Sequence, residues 1–286
     1  MSDLRRWATT IAVGVLAAAL CATAGVWQWN RHVARAERAE IVTANLTAEP
    51  GDPPAAGEVV DRGRLWEPVT VHGRYLGDPV LLRNRPVGGQ QAFHVLGAVE
   101  VTQGPAAGTV LLVARGWLPA GADAAAPDHV PTPPEGEVDL VVHLLPEETA
   151  ATRAAPPGQV HTIHVQQVRA AAIAAGLAES DWPARAGVVG YGVVGTEDGA
   201  APPGLGRLPA PDTDLGSHLS YAFQWWVFAA GALIGSVVLV ARERRELAAS
   251  APGPDGAPGP TPLRPTRSRR PTAEEQEDAI LDAQGL

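Results

Sequence analysis

The chain has 286 residues and a formal net charge of −9, and all 22 of its basic residues are arginine. Without lysine there is no P-loop, Schiff base or pyridoxal attachment, because each needs an ammonium group. A single cysteine, Cys21, excludes an intramolecular disulfide, a cysteine-rich zinc site, an iron-sulfur cluster and covalent haem attachment through a cysteine pair.

Near the N-terminus, Trp7 to Trp27 forms 21 residues without a charge. At about 1.5 Å per residue this reaches roughly the 30 Å of a bilayer core, so it is read as a first transmembrane helix. A competing reading makes it a cleaved signal peptide, with Arg5 and Arg6 as its basic region and Ala22-Thr23-Ala24 as the small-residue site. Against cleavage, apolar character continues through Val26 and Trp27. A lipoprotein reading of Cys21 is weaker, since Leu20 stands where a small residue is expected. Beyond the span, Arg31, Arg35 and Arg38 with Glu37 and Glu40 have the composition of an exposed helix surface, predicted to run to about residue 47. The Pro/Gly cluster from Pro50 to Gly57 ends it.

Short Val- and Leu-rich runs follow, separated by Pro and Gly: Val69 to Leu76, Val80 to Arg83, Phe93 to Val101, Thr109 to Leu118 and Val138 to Leu145. This spacing predicts an antiparallel sheet. In the first run Val69, Val71 and Tyr75 alternate with Thr70, His72 and Arg74, giving one buried and one wet face. A further strand is expected at Gln159 to Val165, a helix at Gln166 to Leu177 with Val168, Ala171, Ala172 and Ala175 at helical spacing, and a last strand at Ala186 to Val194. Residues 28–218 carry 13 Arg against 22 Asp plus Glu, which is the whole −9, so no nucleic-acid surface is expected.

A second uncharged stretch, Leu219 to Ala241, has 23 residues, with Tyr221, Trp225 and Trp226 at one end as interfacial aromatics. Arg242, Arg244 and Arg245 follow it directly, which places its C-terminal side in the cytoplasm. Two spans return the chain to one side. The expected organisation is therefore a cytoplasmic N-terminus (1–6), transmembrane helix one (7–27), an extracytoplasmic α+β domain built mainly on antiparallel sheet (28–218), transmembrane helix two (219–241) and a cytoplasmic, largely disordered tail (242–286). In that tail, Thr272 and Glu275 have capping-box spacing.

Three motifs resemble one family. Gly25-Val26-Trp27-Gln28-Trp29-Asn30-Arg31 is similar to the Gly-x-Trp-Gln-x-x-Arg signature of the SURF1 family of cytochrome c oxidase assembly proteins. Val110 to Pro119, with Arg115-Gly116-Trp117, resembles that family's Leu-Val-x-Arg-Gly-Trp-x-Pro strand, and His218 to Trp226 its His-x-x-Tyr-Ala-x-Gln-Trp segment. The chain departs from the pattern at Gly97-Ala98, in place of a Pro, and at Ala114, where Asn is frequent. The resemblance spans about residues 5 to 246. It implies a membrane assembly factor, not an enzyme. Such a factor assists insertion of haem a into subunit I of an aa3-type oxidase, receiving it from haem A synthase in the cell membrane.

The candidate site lies where both spans leave the membrane. On a helix, His218 shares a face with Tyr221, Ala222, Trp225 and Ala229. A neutral imidazole there is a competent axial ligand for haem iron; alternatively His218 bonds lipid headgroups and Tyr221 belongs to an aromatic belt. The resemblance, whose corresponding histidine is implicated in haem a binding, favours the ligand. Trp27, Gln28 and Arg31 lie at the same depth on span one, either closing a haem slot, with Arg31 on a propionate, or anchoring the interface. Arg115 and Trp117, expected on one strand face with Leu111 and Val113, need a carboxylate or carbonyl partner for the guanidinium and read as architectural. Gly231 and Gly235 allow close approach of another helix, either span one or an oxidase helix. His161 and His164 fall on opposite faces of a strand and make a poor metal pair.

Two further readings stand beside the haem carrier: a scaffold that grips oxidase subunits without touching haem, and a membrane-tethered extracytoplasmic enzyme. The sequence has no Gly-x-Ser-x-Gly elbow, His-Glu-x-x-His or dinucleotide fingerprint to support the last.

Overall fold

The structure, a computed structural model, describes residues 2–185 and 187–250. It divides into two units, one made of the residues up to Gly25 together with those from Phe223 onward, the other of Val26–Ala222.

The first unit is a pair of helices. α1 spans Ser2–Leu46 and α3 spans His218–Ala249, and both are long and apolar enough to cross a membrane. Their apolar surfaces are largely uncovered within the chain, since Val13, Leu16, Val227 and Ile234 are each more than 60% exposed. What they bury is small: Gly14, Ala18 and Gly25 form the seam on α1. A Cβ on Gly14 would lie 2.5 Å from Ser236 Cβ, and one on Gly25 would enter the Trp226 ring. Small residues let the backbones approach and gain dispersion contact where lipid offers no hydrophobic drive. At the far end Glu243 takes the Arg6 guanidinium and, at 3.1 Å, the Trp7 indole N–H, while Arg244 lies 5.3 Å from the Trp7 ring centre. The tail expected to lack structure, with its capping box, lies outside the described residues beyond 250; α3 itself carries Arg242 to Glu246 as helix.

The second unit is a small barrel. Its strands are β1 (Pro68–Tyr75), β2 (Val80–Leu82), β3 (Ala92–Val101), β4 (Val110–Pro119), β5 (Glu137–Leu145), β6 (Gln159–Val160) and β7 (Tyr191–Glu197). The sheet order is β1-β5-β7-β4-β3-β2-β6, and β1 also pairs β3, which closes the first five into a ring. Closure is possible because β3 is ten residues long and serves two partners: His94 to Leu96 pair with β2, Val99 to Val101 with β1. The period-two alternation sends Val69, Val71, Val99, Leu111, Val113, Leu140 and Val142 inward, each essentially inaccessible; such burial contributes about 1.5–3 kcal/mol per side chain. The outer face of β3 and β4 is covered by α2 (Val165–Ala174), whose Val168 and Ala172 meet Leu96, Leu112 and Ala114.

Three expectations need correction. β6 ends at Val160, because His164 caps α2 instead of extending a strand. The last strand begins at Tyr191, since Val189 is occupied by a separate bridge to Val59. The sheet is also mixed, with β4–β7 and β2–β6 parallel. A fourth correction concerns Arg115 and Trp117. Val95 pairs Gly116 while Leu96 pairs Ala114, so Arg115 is the extra residue of a bulge. The bulge reverses the alternation. Arg115 turns toward Tyr75 and Glu197, and Trp117, opposite His94, stands on the other face.

Candidate functional site

The site is built on the part of α1 that belongs to the barrel unit. At about 100° per residue, Gln28, His32, Arg35, Ala39 and Val42 share one face. That face is fixed by its far end: Val42 is 1% exposed, and Asn45 Nδ2 donates to Gly63 O at 3.1 Å and Leu65 O at 2.8 Å. His218, the first residue of α3, meets the face at its near end, with Nδ1 2.8 Å from Gln28 Oε1. An amide oxygen only accepts, so in this contact Nδ1 is the donor, and in the neutral imidazole Nε2 is the nitrogen with the lone pair. His32, one turn beyond Gln28, has a buried Nδ1 without a hydrogen-bond partner.

The linker before α3 brings a third group close. Gly216 has φ +65, and a Cβ on it would lie 2.8 Å from Arg35 Nη1 and 3.8 Å from His218 Cδ2. The left-handed backbone favours glycine here, and an added Cβ would make the end of the Arg35 side chain shift. Arg35 also lines a cavity of about 550 Å³, together with, among others, Arg38, Trp66, Tyr191, Asp212 and Asp214. Trp66 holds φ +62, a conformation costly for a bulky side chain and one that collects at functional sites.

Trp66 and Tyr191 also line an inner, mainly apolar cavity of about 150 Å³ with His94, Arg85 and Glu148. Burial, and then the neighbouring Arg85 charge, push the His94 pKa down to about 4, and burial with the Glu148 charge pushes Tyr191 up to about 12. Both side chains are therefore neutral hydrogen-bonding groups near pH 7. His94 is isolated in sequence; its neighbours arrive from β2, β5 and β7, which no spacing reveals.

Of the sequence-predicted residues, the structure brings His218 and Gln28 into contact. Trp27 and Arg31 instead meet each other, the guanidinium 5.9 Å from the ring centre, with Trp27 57% exposed. Tyr221 is half exposed, whereas Ala222 beside it is fully buried. Trp225 packs edge-on against Phe228 at 6.0 Å. Gly231 and Gly235 have nothing within 4 Å of an added Cβ, so span one does not use them. Gly116 lies against Leu205 and Gly206, and the Trp117 indole packs over Gly206, which pins the linker to β4. Arg115 is fully buried and pairs Glu197. Arg35, Arg38 and His32 were missed; the only sequence signal was their step of three or four residues from Gln28 along one helix.

The SURF1 family model matches residues 15–230, three quarters of the chain. The chain belongs to the SURF1 family. This family is linked to cytochrome oxidase assembly and is one of assembly factors, not a known enzyme family. The chain is similar to uncharacterized SURF1-like proteins of Mycobacterium bovis and of two Mycobacterium tuberculosis strains, each 33% identical over 204 residues. The match covers 66% of this chain and 66% of each relative, just under two thirds of their length.

Proposed function

We propose that this SURF1-family protein assists insertion of haem a into subunit I of an aa3-type cytochrome c oxidase, holding the haem transiently at His218 between its delivery by haem A synthase and its insertion. The observation that carries the reading is the 2.8 Å contact of His218 Nδ1 with Gln28 Oε1. Iron-ligating imidazoles hold the other ring N–H in this way, which fixes the tautomer and raises the basicity of the free nitrogen. The donor set fits a transiently held haem: one imidazole with its Nε2 not engaged by Gln28, and no cysteine pair to make attachment permanent. A bound haem would supply an iron for that nitrogen to hold. Gln28 aims the ring, Gly216 clears space beside it, and the rigid barrel fixes α1 through Val42 and Asn45.

The two apolar helices and the arginines after Ala241 support a cell-membrane protein with both ends in the cytoplasm. On this topology His218 and Gln28 sit at the outer membrane border and the barrel lies outside.

Deletion of the gene, followed by a reduced-minus-oxidised spectrum of the membranes, tests the reading. The haem a band of assembled oxidase is expected to fall, and to return with the wild-type chain but not with His218→Ala. An unchanged band on deletion contradicts the assembly role. Full restoration by His218→Ala removes haem contact from it and leaves a haem-independent scaffold.

A further inference from the structure

A haem held at His218 brings two carboxylates that need partners, and the Arg31 guanidinium lies 5.9 Å from the Trp27 ring centre. Arg35 and Arg38 are placed differently. Both line the 550 Å³ cavity, and Arg35 is also the group next to Gly216, where an added Cβ would lie 2.8 Å from Arg35 Nη1 and 3.8 Å from His218 Cδ2. Its size falls within the ordinary range for ligand sites, roughly 300–1,000 Å³. Among the described residues, neither guanidinium has a carboxylate within ion-pair distance. Asp212 and Asp214 line the same cavity, but their Oδ1 atoms accept from the backbone N–H of Asp214 and Gly216, each at 2.9 Å. They shape the linker and leave the arginines uncommitted.

The placement agrees. Arg35 and His218 both stand against Gly216, so the guanidinium lies on the side of the imidazole from which a carboxylate of a bound ligand could be met. Guanidinium groups suit such carboxylates because their paired N–H donors match the two oxygens.

We propose that this cavity receives the propionate end of the haem, with Arg35 and Arg38 as its two cationic partners. The proposal rests on the reading of His218 as the haem ligand. It assigns a binding role to residues that otherwise look like a solvated helix surface.

The test compares iron protoporphyrin IX with its dimethyl ester, titrated into the purified full-length chain in neutral detergent. The wild-type chain is expected to prefer the free acid by at least about tenfold, as two charge-assisted contacts imply. Arg35→Gln/Arg38→Gln should abolish that preference while still binding the ester, and Arg31→Gln should keep it. Equal binding of acid and ester by the wild-type chain overturns the proposal but leaves the haem reading standing. A double variant that keeps the preference, yet loses binding to phosphatidylglycerol vesicles, also overturns it and assigns the arginines to lipid headgroups. Failure of the wild-type chain to bind either haem form overturns the haem reading and this proposal together.

Discussion

Arg115 and Glu197, 82 residues apart in sequence, are joined inside the barrel by two hydrogen bonds, Nε to Oε1 at 3.1 Å and Nη2 to Oε2 at 2.9 Å. Both belong to bulged stretches: Arg115 is the extra residue on β4, and Glu197 follows two residues after Gly195, the extra residue on β7. The Tyr75 hydroxyl donates to Glu197 Oε1 at 2.7 Å, and its ring lies 5.0 Å from the Arg115 guanidinium. In this chain the arginine of the Arg115-Gly116-Trp117 strand is thus tied into the barrel interior. Removing either partner leaves a buried charge alone, so Arg115→Ala or Glu197→Ala should cost about 3–5 kcal/mol. The double variant Arg115→Met/Glu197→Leu should cost less than the sum, read from denaturant unfolding in detergent. Strict additivity would show that the two residues do not act as a pair.

Gln28 sets which nitrogen of His218 is free. Ring ¹⁵N shifts of His218, measured without haem, should show the neutral Nδ1–H form in the wild-type chain. Gln28→Leu should give mixed tautomers and lower haem affinity by about 10–100-fold, the usual range for losing such a supporting group. An unchanged tautomer in that variant would mean that the contact does not orient the ring.

His94 makes the barrel acid-sensitive. In the unfolded chain it takes a proton near its ordinary 6.5, but in the fold only near about 4. Between those values the unfolded state binds more protons, so stability is full above about 6.5 and falls as pH drops toward about 4. His143, also shifted down by burial, adds in the same direction. Unfolding midpoints of wild-type and His94→Phe chains across this range should diverge, with the variant flatter. Parallel curves would contradict the assignment.

The glycines of the two spans are not equivalent. Gly14→Val and Gly25→Val force side chains into Ser236 and Trp226, and overpacking of this kind costs about 1–3 kcal/mol. Gly231→Val and Gly235→Val meet nothing. Resistance of the helix pair to dodecyl sulfate should fall only for the first two; equal loss at all four would contradict the seam.

Where local pattern decides, the sequence was readable. The alternation of Val69 and Val71 with Thr70 and His72 marked β1, and an uncharged run marked each long helix. What escaped was set by long-range pairing. Nothing in β3 announces that its last residues turn to β1 and close a ring, and one extra residue at Arg115 reverses a strand face without any compositional sign. Gln28 and His218 were both flagged by motifs, yet their contact joins residues 190 apart. Arg35 and Arg38 looked like solvated helix surface because the cavity they line is completed by a linker far along the chain, at Pro211 to Asp214.

The central claim is that His218 holds haem a, and the optical spectrum of the full-length protein purified from cells that make haem a tests it most directly. The account predicts an a-type spectrum in the wild-type preparation, lost in His218→Ala and kept in Tyr221→Phe. An a-type spectrum of equal strength in His218→Ala, or none in the wild-type chain, would contradict it.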